Sequence, residues 1–68
     1  KNKLNKIKEI LKTKGIKQTW LADRLGKSYN MVNGYVQNRR QPSLEDLYKI
    51  SEILDIDIKE LLASNKDE

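Results

Sequence analysis

Cysteine and histidine are both absent from the 68 residues. No disulfide can staple the chain, and the common nitrogen and sulfur ligands of structural zinc are missing. The same absences remove the usual general base and the usual strong nucleophile, and so short a chain leaves little room for a pocket. Neither an enzyme nor a cofactor is expected. Long apolar runs are lacking too. Nothing approaches the roughly 20 residues that span a bilayer, and no apolar segment of signal-peptide type follows the basic N-terminus. The single proline and three glycines are too few for a flexible linker, and no repeat or low-complexity segment occurs. What is left is one small domain near the lower limit for a core without staples, compatible with a reducing compartment. The chain opens on Lys1 rather than methionine, which is compatible with a longer parent protein.

Charge is plentiful but unevenly placed. Residues 1–43 carry eleven Lys and Arg against Glu9 and Asp23, while residues 44–68 carry Lys49, Lys59 and Lys66 against eight acids, for a net charge of +4. Such polarity would present the N-terminal part to a polyanion and turn the acidic part away. Ordinary solvated charge is the competing explanation. Asp55 and Asp57 fit that explanation, with weak calcium binding as their one alternative chemistry.

Apolar spacing predicts helices throughout. Leu4, Ile7, Ile10 and Leu11 form the inner stripe of a first helix ended by Gly15, with lysines outside. A second helix is expected over 19–25, with Thr19 or Gln18 near its cap, and a third over 28–37. Gly26 supplies a left-handed turn between them, Ser28 caps the third, and Asn38 ends it. Ala22 keeps the crossing close, and Leu21, Leu25, Val32 and Tyr35 fill the space between the two helices. Tyr29, Asn30, Asn33 and Gly34 are left facing outward, uncrowded. Met31 and Val36 read as partly buried. Pro42 and Ser43 then start a fourth helix, Ser43 and Asp46 having capping-box spacing. Its inner stripe is Leu44, Leu47, Ile50 and Leu54, flanked by Tyr48 and Ile53. A fifth short helix is expected over 58–63, within a domain of residues 1–63 followed by a frayed tail, 64–68.

The order Gln18, Leu21, Ala22, Leu25, Gly26, then Asn38, Arg39, Arg40, Pro42, Ser43 and Leu44 resembles the lambda-repressor-like (Cro-like, XRE-type) helix-turn-helix family of bacterial and phage regulators. The likeness extends over about residues 4–62. It implies an all-α bundle of four to five short helices whose third helix enters the major groove of double-stranded DNA. By this resemblance Tyr29, Asn30, Asn33 and Gly34 lie at base-contacting positions, and Asn30 is the best candidate for a bidentate pair with adenine. Gly34 stands where the family often has a long polar or basic residue. Phosphate contacts are expected from Gln18, Lys17, Lys27, Ser28, Asn38, Arg39 and Arg40. Lys27 would also lay its aliphatic stem over the core and keep its amine in water. The bland alternatives are a solvated tyrosine at Tyr29 and a helix-capping glutamine at Gln18.

One short helix makes few base contacts, so a homodimer on a palindromic operator is expected. Ile53, Ile56, Ile58, Leu61 and Leu62 would form its interface or pack as a fifth helix on their own domain. Trp20 is open to three readings: packing within the domain, an indole N–H on phosphate, or a protein partner. An antitoxin or adaptor using the same fold is the alternative function. The expected location is the cytoplasm of a bacterial or phage-infected cell, on the nucleoid when bound, with no membrane contact.

Overall fold

The computed structural model describes residues 3–66. Lys1 and Asn2 of the expected domain, and Asp67 and Glu68 of the expected tail, lie outside the described residues. Four α-helices and a 3-10 turn follow in order: α1 Ile7–Lys14, α2 Gln18–Leu25, α3 Tyr29–Val36, α4 Leu44–Leu54, and the turn Ile58–Leu61. The all-α class is as the sequence predicts. Among the described residues no helix is long and apolar enough to cross a membrane.

Each helix stops for a local reason. Gly15 at φ 69° and Gly26 at φ 74° end α1 and α2 in the left-handed region, where a Cβ would be strained. Past them the amides of Ile16 and Lys27 return to the carbonyls of Leu11 and Ala22, at 2.9 and 3.1 Å. Asn38 (φ 60°) and Asp55 (φ 57°) make the corresponding turns beyond α3 and α4 without glycine. Ser28 Oγ accepts from the Met31 amide at 3.1 Å, and Ser43 Oγ from the Asp46 amide at 3.1 Å. The second half of the expected capping box is replaced: the Asp46 carboxylate lies 3.4 Å from Lys27 Nζ. Neither Thr19 nor Gln18 caps α2; Lys17 holds the cap position and makes no side-chain bond there.

The core gathers Ile7, Leu11, Leu21, Ala22, Val32, Tyr35, Val36, Leu47, Ile50, Leu54 and Leu61. Helix α2 packs on both α3 and α4, α1 meets α3, and the 3-10 turn closes against α4. Several expectations need correction. Leu4 precedes α1 and is 54 % exposed, and Leu44, in the first turn of α4, is 66 % exposed. Both continue an apolar spacing beyond the length of helix that the core can cover. Tyr48, one turn after Leu44, is exposed as well, and Val36 is fully buried rather than partly. The expected fifth α-helix is a four-residue 3-10 turn, capped by Asp57 Oδ1 accepting from the Lys59 amide at 2.9 Å. Beyond it the chain extends and pairs with the N-terminal segment. Lys6 N donates to Leu61 O at 2.8 Å and Ala63 N to Leu4 O at 2.9 Å, around an antiparallel bridge between Asn5 and Leu62. That pairing consumes the backbone groups a longer helix would have used.

Candidate nucleic-acid interface

The two helices that flank Gly26 are held at their crossing by Leu21, Ala22, Val32 and Tyr35, with Leu25 partly buried beside them. What they leave outside is a polar surface with an internal order. Asn33 Nδ2 donates to Gln18 Oε1 at 3.0 Å, and Arg39 Nη2 donates to Asn33 Oδ1 at 2.7 Å. This chain ties the first residue of α2 to the middle of α3 and on to the loop beyond α3. It also sets which atoms remain free. Gln18 keeps its amide N–H groups, and Arg39 keeps four of its five donors. Asn33 is committed at both ends, so it acts as a brace.

Asn30 and Tyr29 contrast with Asn33. Both are exposed, and neither side chain makes a hydrogen bond among the described residues. The Asn30 carboxamide therefore retains the donor and acceptor that an adenine edge requires. Arg39, Arg40 and Lys17 are exposed and meet no carboxylate among the described residues, where the ion pairs are Lys3 with Glu9 and Lys27 with Asp46.

Three expected contact residues, Gly34, Lys27 and Asn38, are placed differently, and Ser28 spends its hydroxyl on the cap that the sequence predicts. Gly34 is buried instead of outward: a Cβ there would stand 2.9 Å from Arg40 Cγ, whose side chain lies across it. Lys27 turns its amine to Asp46 rather than into open solvent. Asn38 faces the N-terminal segment. Its Oδ1 accepts from the Leu4 and Asn5 amides at 2.9 and 3.0 Å, and its Nδ2 donates to Asn5 O at 3.1 Å.

Asn38 belongs to a polar clasp that the sequence did not announce. Asn5 is 2 % exposed. Its Nδ2 donates to Tyr35 O at 3.0 Å and to Gln41 Oε1 at 2.7 Å, and its Oδ1 accepts from the Ile7 amide. One buried carboxamide thus joins the start of α1, the end of α3 and the loop bearing Arg39 and Arg40. An isolated asparagine in a lysine-rich segment carries no periodicity, and no signal pointed to it.

The expected dimer residues are unequal. Leu61 is fully enclosed in the core, so it has no surface to offer a second copy; Ile53, Ile56 and Ile58 are half-buried against the core, and Leu62 is exposed. Trp20 is 39 % exposed, and its ring carries the Arg24 guanidinium 4.6 Å from the centroid. Among the described residues no three acidic side chains gather into a metal site.

Two crossed helices with a left-handed glycine between them, a capped outer helix and a braced polar face define a helix-turn-helix domain. The helix-turn-helix family HTH_3 matches residues 7–61. This chain belongs to that lambda-repressor-like family of DNA-binding domains, which is not a family of enzymes. A solved structure, of a Bacteroides fragilis protein described as DNA-binding, is 40 % identical over 88 % of this chain and 97 % of its own, with a TM-score of 0.87. No protein of curated function matches the chain.

Proposed function

We propose that this protein is a sequence-specific transcriptional regulator that reads double-stranded DNA with α3 in the major groove. The observation that carries the reading is the Gln18–Asn33–Arg39 chain, which fixes α3 and leaves Asn30 unpaired on the outer face. Asn30 and Tyr29 contact base edges. Gln18, Lys17 and Arg39 hold phosphates, Gln18 through its free amide at the start of α2, and these contacts set the register without reading sequence. The excess of Lys and Arg over acids in residues 1–43, which contain α2, α3 and the Arg39–Arg40 loop, favours attraction to a polyanion.

The regulator acts as a homodimer on a palindrome with half-sites about 34 Å apart. One eight-residue α3 makes too few contacts for the affinity of about 10⁻⁸ M or tighter that specific regulators show. Exposed Leu62 and the exposed parts of Ile53, Ile56 and Ile58 form the apolar part of the interface. A second reading, an adaptor or antitoxin, is favoured by Leu44 and Tyr48, exposed one turn apart on α4, and by exposed Trp20. Selection of bound duplexes from a randomised pool tests the function. An enriched palindrome supports the regulator, whereas a pool without enrichment contradicts it and favours the adaptor.

A further inference from the structure

We propose that Arg40 reads a base. Its side chain occupies the slot left by Gly34 and presents the guanidinium to a guanine edge, next to the base pair contacted by Asn30. The inference rests on the DNA-reading function proposed above.

Gly34 lies inside α3, where glycine costs helix stability, and it has no positive φ to justify it. Its use is space. A Cβ at this position would meet Arg40 Cγ at 2.9 Å, Cδ at 3.3 Å and Nε at 3.6 Å, so the arginine stem crosses the helix where a side chain would otherwise stand. The backbone prepares the crossing, for the amides of Arg39 and Arg40 both return to Gly34 O, at 2.9 and 3.3 Å. The tip then runs toward the start of α3: Arg40 Nη1 donates to Met31 Sδ at 3.0 Å. Met31 lies one turn before Gly34, and Asn30 lies four residues before it, hence on the same face. Ser28, Asn30, Met31, Gly34, Arg39 and Arg40 line one open recess.

The guanidinium is therefore held along the recognition helix beside Asn30. A thioether is a weak acceptor, and no carboxylate pairs with Arg40 among the described residues, so most of the fork is available. The bidentate partner that matches such a fork in the major groove is guanine, through O6 and N7. An arginine serving phosphate alone needs no slot across α3. Glycine at position 34 thus lets a residue beyond the helix supply the long side chain that the helix itself lacks.

The test is competition binding in which each base pair of the selected site is replaced in turn, with wild type, Arg40→Lys, Arg40→Ala, Gly34→Ala and Asn30→Ala. Wild type should lose about 5- to 150-fold on replacement of one G·C pair distinct from the pair that Asn30→Ala identifies. Both Arg40 variants should become indifferent to that G·C pair while still discriminating at the Asn30 pair, which shows that they fold and dock. Lysine should fail as alanine does, because it keeps the charge but lacks the fork. Gly34→Ala, by displacing the Arg40 stem, should weaken the same preference. The assignment is overturned if the Arg40 variants lose affinity equally for every sequence and keep the G·C preference. Indifference of the wild type to every replacement would overturn the DNA-reading function, and the assignment with it.

Discussion

Asn38 combines a backbone requirement with a side-chain one, and substitution separates them. Glycine at 38 keeps the left-handed turn at φ 60° but loses the bonds to Leu4, Asn5 and Gln41. Urea unfolding of Asn38→Gly should show a loss of about 1 to 3 kcal/mol. Asn38→Ala should lose about 1 kcal/mol more, since alanine adds the left-handed strain. Equal losses would mean that the conformation costs nothing here. Asn5→Leu belongs to the same clasp. It leaves the Ile7 amide without its partner, while the Tyr35 carbonyl keeps its bond from the Asn38 amide; the expected loss is about 1 to 3 kcal/mol if water cannot reach the amide. At this scale the sequence was legible where a residue's conformational preference is local, as at Gly26, Ser28 and Asn38. It was silent where a side chain works through distant backbone, as at Asn5, 30 residues from Tyr35 in the chain.

Between elements, the caps make a controlled pair. Ser28 and Ser43 make the same bond at the same 3.1 Å, one at the start of α3 and the other at the start of α4. Alanine at either should cost about 1 kcal/mol of stability in thermal or urea unfolding. Only Ser28→Ala should also weaken binding of the selected DNA, because in the proposed docking α3 and not α4 enters the groove; equal effects on binding would argue against that docking. The helices themselves were readable because their core positions recur at helical spacing and Gly15, Gly26 and Pro42 punctuate them. Their ends were less so. Leu4 and Leu44 obey the spacing yet project past the core, since periodicity tells which face a residue occupies and not where the neighbouring element stops. The 3-10 turn was overextended for a related reason. Leu62 and Ala63 continue an apolar pattern, but their backbone is claimed by pairing with Leu4 and Asn5. Gly34 was misplaced because what covers it comes from outside the helix.

At the scale of the whole molecule, the proposed docking depends on charge and copy number. Binding driven by phosphate contacts should weaken with salt, with a slope in log K against log salt of about −0.9 per phosphate neutralised. Arg39→Ala should reduce that slope by about 1 per protomer while leaving the order of preferred bases intact. An altered base preference would instead place Arg39 in the groove. Sedimentation on the selected duplex should find two copies per palindrome, and Leu62→Lys should reduce this to one without unfolding the domain. The most direct measurement is a titration of wild type and Asn30→Ala against the selected duplex and a scrambled one, at two salt concentrations. A regulator that reads bases with α3 predicts wild-type preference for the selected duplex at both salts, with Asn30→Ala losing about 1 to 3 kcal/mol on that duplex and little on the scrambled one. Equal binding of both duplexes by both proteins, fading together as salt rises, would contradict it and leave only attraction to a polyanion.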